Sequence, residues 1–333
     1  MISVQKFGGS SLADAERIRR CAGIIAGAKS AGSDIVAVLS ARGDTTDELI
    51  AQALELSPEP PARELDVLLS TGELCSAALM AITLRRMGFD CVSLSGRQAG
   101  IHTDAEHGEA HISSVHTRRI MRELDAGRIV IVAGFQGVDD KDDVTTLGRG
   151  GSDTTAVVLA AALNAGRCEI YSDVDGIYTA DPRLVTGAKK LAVIDSGDML
   201  KLAKCGSQVL HSRSVEAAIR FGVPVTLLSS FVNAPGTLMT AIPDRSALPP
   251  VTGITRDKAL NRISVVGPGV RINCLSEIVG LLCENDIPVL SADCSEELAA
   301  VVTDPEHILP AMELIHRQLI GQSFEPPQNP APH

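Results

Sequence analysis

The chain has 333 residues, 45% of them hydrophobic but only 2% aromatic and none tryptophan. A core of Ala, Val, Ile and Leu suits layered α/β architecture and argues against aromatic platforms for bases or sugars. A net charge of −11, from 30 Lys+Arg against 41 Asp+Glu, argues against nucleic-acid partners, and no run approaches the roughly 18 apolar residues of a membrane span.

The N-terminus Met1-Ile2-Ser3-Val4-Gln5-Lys6 lacks the apolar segment of a signal peptide, so a cytoplasmic protein without membrane partners is expected. Short β-branched runs then alternate with longer segments of near-helical period. Strands are predicted at Val4 to Phe7, Ile35 to Ser40, Cys91 to Leu94, Ile129 to Ala133, Glu169 to Tyr171 and Val225 to Leu228. Helices are predicted between and after them, at Asp14 to Lys29, Thr46 to Leu56, Gly72 to Met87, Ser113 to Ala126, Ser152 to Ala165 and Ser207 to Phe221. This alternation predicts an α/β fold with a mostly parallel, doubly wound sheet over residues 1–240. Three prolines within Ala241 to Pro250 break both periods and read as a linker at 241–250. Beyond it, Ile263 to Val266, Leu275 to Asn285, Val289 to Asp293, Leu298 to Thr303 and Leu309 to Leu319 follow in βαββα order, with Val251 to Thr255 as an extra strand. That predicts a small ferredoxin-like α+β module at 251–322, followed by a disordered Pro-rich tail at 323–333. The eight cysteines form no C-x-x-C pair and are expected to be reduced and buried.

Two glycine-rich turns carry charge. Lys6-Phe7-Gly8-Gly9-Ser10-Ser11 joins a strand to a helix, so the backbone can approach an anion closely while helix N–H groups and Lys6 face it. The spacing is neither that of a P-loop nor that of a dinucleotide fingerprint. Thr145-Thr146-Leu147-Gly148-Arg149-Gly150-Gly151-Ser152-Asp153 places an Arg between glycines before a second helix; a capped tight turn accounts for Ser152 and Asp153 but not for Arg149. Two anion cradles in one chain suggest a phosphate donor meeting an anionic acceptor. A third segment, Tyr171 to Arg183, holds both tyrosines of the chain and several aspartates, groups suited to packing a purine or ribose and accepting its hydrogens.

Together with Ser40 to Leu49, Leu69-Ser70-Thr71-Gly72-Glu73, Gly96 to Gly100 and Ala133-Gly134-Phe135-Gln136-Gly137, these stretches resemble, in order, the aspartate kinases of the amino-acid kinase family. The resemblance implies ATP-dependent phosphorylation of the aspartate side-chain carboxylate, with ATP and Mg²⁺ required and a homodimer or larger homo-oligomer. It implies that Lys6 neutralises the transferring phosphoryl group and that Asp153 holds Lys6. Gly8, Gly9, Ser10, Ser172, Asp173, Tyr178, Asp181, Arg183 and Gln208 would form the nucleotide set. Ser40, Thr45, Thr46, Glu73, Arg149, Gly150, Gly151 and Ser152 would form the acceptor set, Glu73 pairing with the amino group and Arg149 clamping a carboxylate. No histidine need act as base, because a carboxylate acceptor is already ionised near neutral pH. The match departs from the family pattern at Gln208, where a lysine usually follows Gly206 by two positions; His211 and Arg213 are nearby cations that could substitute. It departs again after Pro250, where about 80 residues leave room for a single module resembling an ACT domain rather than the usual two. A chain insensitive to lysine and threonine is therefore expected, its single module serving dimerisation. A kinase of another small amino-acid carboxylate, or a ligand-binding subunit weakened by Gln208, are the alternatives.

Overall fold

The computed structural model describes residues 1–321, and the predicted tail at 323–333 lies outside the described residues. In chain order these form β1 (Ile2–Phe7), α1 (Ala15–Ser30), β2 (Asp34–Leu39), α2 (Thr45–Leu56), α3 (Ala62–Arg86), β3 (Cys91–Leu94), β4 (Ile101–Thr103), β5 (Ile112–Val115), α4 (Arg118–Asp125) and β6 (Ile129–Ala133). Next come β7 (Gln136–Val138), β8 (Val144–Thr146), α5 (Gly151–Ala162), β9 (Arg167–Ser172), β10 (Val193–Asp195), α6 (Ser196–Lys204), α7 (Ser212–Phe221), β11 (Val225–Ser229) and β12 (Thr237–Thr240). The chain then forms β13 (Gly253–Asp257), β14 (Arg262–Val266), α8 (Ile272–Glu284), β15 (Ser291–Ser295), β16 (Leu298–Val302) and α9 (Ile308–Leu319).

These elements divide into two compact units, the first comprising Met1–Gly176 with Leu210–Ala241 and the second Ile177–Val209 with the stretch from Ile242 onward. In the first unit, β12, β11, β9, β1, β2, β6 and β3 lie side by side in that order. All neighbours are parallel except β12, which runs antiparallel to β11. The central strands are apolar on both faces, with Val36 to Leu39 and Ile129 to Ala133 fully buried, as a sheet covered by helices on both sides requires. Register positions the site: Phe7 pairs with both Leu39 and Tyr171, and Leu39 pairs with Ala133. The loops opening at Gly8, Ser40, Gly134 and Ser172 therefore leave the sheet together at the carboxyl ends of its central strands, where ligands bind in such folds.

A second, four-stranded sheet in this unit, β5-β4-β7-β8, was not anticipated. The predicted helix at Ser113 to Ala126 is instead a strand, paired with β4, followed by a helix from Arg118. Ile112 and Val115 favour the strand, and only Ile120 and Leu124 carry the buried helical period. α3 starts ten residues before the predicted Gly72, because its buried face includes Asp66, Ser70 and Glu73, which hide the apolar period. By length and composition α3 could cross a membrane, contrary to the expectation that no run qualifies, but its apolar stretch is 44% buried against the rest of the unit. α7 begins at Ser212 rather than Ser207, with His211 as its cap.

In the second unit, β13, β14, β16 and β15 form an antiparallel sheet in that order. Its core joins Ile263 and Val265 to Ile278 and Leu282 of α8 and to Met312 and Ile315 of α9, giving the predicted α+β module with its extra strand. The earlier segment of this unit is tied to the module at Thr179. Its carbonyl accepts from Ile254 N–H at 2.7 Å, and its hydroxyl lies 2.9 Å from Nε2 of the buried His316. The short β10 and α6 of this segment were not predicted from sequence.

All eight cysteines are free, but only Cys21, Cys91 and Cys168 are buried, and Cys75 and Cys283 are exposed, correcting the expectation that all are interior.

Candidate functional site

A cleft of about 550 Å³ opens in the first unit. Its walls come from the loops after β1 and β2, from α2 and α3, and from the turn that opens α5. Lys6 and Arg149 both line it. The two glycine-rich turns, more than 130 residues apart in sequence, thus face one volume.

The Lys6 wall is built by close backbone approach. A Cβ on Gly9 would lie 2.8 Å from the Ala41 carbonyl, so glycine lets the turn after β1 interlock with the loop after β2. Gly43 N–H donates to the Gly9 carbonyl at 3.0 Å, and Arg42 donates to the carbonyls of Leu12 and Ala13. Gly8 N–H is held by the Tyr171 carbonyl at 3.2 Å. Lys6 is 8% exposed, and its Nζ lies 2.5 Å from Asp153 Oδ1 in the first turn of α5, so its ammonium is aimed into the cleft before any anion arrives.

The Arg149 wall depends on Gly150, whose φ of 72° opens α5 in the left-handed region; a Cβ there would lie 2.2 Å from Cβ of His211. The helix starts at Gly151, so Ser152 sits within its first turn rather than at the cap. Arg213 donates to the carbonyls of Leu147 and Ala110, and His211 accepts from Arg213 N–H. Both suggested substitutes for the missing lysine are thus engaged in bracing the turn. Arg149 itself is exposed at the cleft.

The third wall is α3. A Cβ on Gly72 would come within 2.9 Å of Ala41 Cβ, so this glycine lets the helix close on the β2 loop. Glu73, 3% exposed, then accepts from Ala41 N–H at 2.9 Å through Oε1, while its Oε2 is buried without a hydrogen-bond partner. Burial pushes the Glu73 carboxyl up to about 7, against the opposing pull of the Ala41 N–H. A buried, unpaired carboxylate oxygen facing a cleft is a receptor for a cation.

The residues expected from sequence fall in three groups. Lys6, Gly9, Ser40, Thr46, Glu73, Arg149, Gly150, Gly151, Ser152 and Asp153 all line the cleft. Gly8, Ser10 and Thr45 flank lining residues, and Ser172 and Asp173 close β9, where the Ser172 hydroxyl donates to Asp173 Oδ1 at 2.9 Å. Tyr178, Asp181, Arg183 and Gln208 belong to the second unit. There Arg183 grips Asp181 with Nε at 2.9 Å and Nη2 at 2.8 Å, which holds the Asp181 carboxyl below its usual range. Gln208 is exposed. Tyr171 does not present its ring to a ligand; it stacks on Phe7 at 4.8 Å and 8° within the core.

The model of the amino acid kinase family matches residues 1–229. The chain belongs to the amino acid kinase family. It is 54% identical over 269 residues to the aspartokinase of Corynebacterium glutamicum, covering 79% of this chain and 63% of that protein. To the aspartokinase of a Bacillus species it is 44% identical, covering 86% and 70%. The crystal structure of Escherichia coli aspartokinase III in complex with aspartate and ADP superposes with a TM-score of 0.69 at 27% identity, covering 97% of this kinase-family chain and 84% of that one. The chain thus spans a little under two thirds of the length of the first of these relatives.

Several cleft residues of this amino acid kinase fold were assigned no role from sequence, Phe135 and Asp66 among them. Phe135 lines the cleft with φ of 67°, a conformation costly for a residue with a large side chain. Asp66 lines it too and is 1% exposed. Its signal was present in the spacing Asp66, Ser70, Glu73, a polar stripe at helical period on an otherwise apolar helix.

Proposed function

We propose that the chain phosphorylates the side-chain carboxylate of L-aspartate with ATP, giving 4-phospho-L-aspartate. The observation that carries this reading is the convergence of Lys6, Arg149 and the half-satisfied Glu73 on one cleft. A molecule bearing an ammonium, an α-carboxylate and a second carboxylate matches Glu73, Arg149 and the space before Lys6. Relatives named aspartokinase at 44% to 54% identity support the acceptor.

In this reading the triphosphate lies against the Gly8 to Ser10 turn, and the acceptor carboxylate attacks the γ-phosphorus in line. Lys6, held by Asp153, offsets the charge that spreads over the transferring oxygens, and α5 directs its N-terminus at the same place. Ser40, Thr45, Thr46 and Ser152 orient the acceptor. Ser172 and Asp173, at the end of β9, contact the nucleotide. Three of the four cleft carboxylates are engaged, Asp153 by Lys6 and Glu73 and Asp66 by backbone N–H groups, and only the exposed Asp47 remains, so a magnesium ion would be held mostly by ATP rather than by a dedicated protein cage. Bound Mg²⁺ supplies charge neutralisation at the phosphates.

The same proposal includes a catalytic domain over 1–240, an ACT-like domain over 251–322 that serves dimerisation, and a cytoplasmic location. The deciding experiment is ATP turnover with aspartate, trapping the acyl phosphate as its hydroxamate, on the wild type beside Lys6→Ala. Hydroxamate from the wild type alone supports the reading. ATP binding without aspartate-dependent ADP release would favour a ligand-binding subunit, and turnover with a different amino-acid carboxylate would change the acceptor.

A further inference from the structure

Asp66 makes an unusual set of contacts for a residue at the edge of an anion-binding cleft. It sits in the first turns of α3, fully buried, and every group it meets is a donor or the His107 ring. Oδ1 accepts from Gly108 N–H at 3.1 Å and from the Thr146 hydroxyl at 2.5 Å. Oδ2 accepts from Gly108 N–H and Thr146 N–H, both at 3.1 Å, and lies 2.8 Å from Nδ1 of His107. With its lone pairs so occupied Asp66 has no capacity left for a ligand, and a negative charge at this place repels an acidic acceptor rather than attracting it. Its value must be geometric.

Three walls meet at this carboxylate. α3 runs on from Asp66 for seven residues, two helical turns or about 10 Å, to Glu73. β8 ends at Thr146, three residues before Arg149. The 107–110 loop packs beneath the same turn, with Ala110 N–H donating to the Thr146 carbonyl at 2.9 Å and the Gly108 carbonyl close against Gly148.

We infer that Asp66 is a positioning residue that fixes Glu73 and Arg149 relative to each other, so that the amino and α-carboxylate end of the acceptor is held in one place and the reach of its side chain to Lys6 is set. The inference rests on the proposed acceptor roles of those two residues. Glu73 is carried rigidly by the helix, and the Arg149 turn, braced on its other side by Arg213 and His211, is joined to that helix through the Asp66 carboxylate and its Thr146 partners. An acceptor one methylene longer, glutamate, is rejected because its amino and α-carboxylate end cannot shift back to make room, so its side-chain carboxylate overruns the place before Lys6.

The test uses Asp66→Asn, close in shape but presenting an NH₂ to backbone N–H donors, together with Thr146→Val, which removes a single donor. For Asp66→Asn the KM for aspartate is expected to rise about tenfold or more, the KM for ATP to stay within about twofold, and the preference for aspartate over glutamate in kcat/KM to fall about tenfold. Thr146→Val should give a smaller effect of the same kind, and the double variant should add little to Asp66→Asn. Amide hydrogen exchange, which needs no turnover, should accelerate in peptides covering 106–110 and 144–150 and remain unchanged in 2–8. Equal losses for both substrates with unaltered aspartate-to-glutamate preference would overturn the inference, as would unchanged exchange in the two loops. A wild type that forms no hydroxamate would refute the proposed function instead, and the exchange result would still decide the role of Asp66.

Discussion

Replacing Glu73 with Gln should stabilise the unliganded protein more at alkaline than at acid pH. The folded carboxyl, raised by burial from 4.5 to about 7, holds its proton over a range in which the unfolded chain releases it. Folding stability therefore falls as pH rises from the unfolded value through the folded one, a total cost of roughly 3 kcal/mol from about 2.5 pKa units at 1.36 kcal/mol each. Between about pH 5 and about pH 8 the wild type should lose roughly 2 kcal/mol of this, because part is already lost at the lower pH. A Gln side chain keeps an oxygen for Ala41 N–H and leaves an NH₂ at the unpartnered position, at a cost that does not depend on pH. Urea denaturation of both proteins at the two pH values isolates the carboxylate: the stability difference between variant and wild type should shift by roughly 2 kcal/mol in favour of the variant on going to the higher pH. The same titration should weaken acceptor binding as pH falls through about 7, since a protonated Glu73 no longer pairs with an ammonium. A stability difference that stays constant across this range would refute the reasoning, for it would mean that the burial of Glu73 is relieved by solvent.

Lys6→Ala should lower kcat by about a thousandfold while leaving thermal unfolding within a few degrees, with hydroxamate formation as the measure; Asp153→Asn, which loosens the ammonium without deleting it, should fall between the two. Gln208→Lys should change kcat/KM for ATP by no more than about tenfold, and in the direction of gain, because it adds a cation where the family pattern has one. His316 is kept neutral by burial, its pKa pushed below 6.5, so the unfolded chain binds the proton more readily; stability should decline as pH drops below about 6.5, and His316→Gln should remove that part of the slope in thermal melts.

What sequence revealed and what it concealed follow from the same physics. The parallel strands were legible because strands buried on both faces are uninterrupted apolar runs, as in Ile129 to Ala133. The two glycine turns were legible because charge beside glycine has few structural uses. The small sheet was not: β4, β7 and β8 are three residues each, too short for any alternation to register. Asp66 was missed because the helix was predicted to begin only at Gly72, which cut the Asp66, Ser70, Glu73 stripe in two, and because its partners lie 41 and 80 residues away. Tyr171 misled for the opposite reason: an aromatic ring beside aspartates suggests a ligand face, but Phe7, its register partner on the adjacent strand, claims the ring.

The chain leaves the first unit at Gly176 and re-enters it at Leu210. During synthesis, β9 must therefore wait with one edge bare until β11 has been made, more than fifty residues later. A fragment ending near 176 would display that edge permanently, an open template for pairing with other chains. Expression trials that trim this protein to its first contiguous block should yield aggregates, whereas a break placed beyond Ala241 spares the sheet.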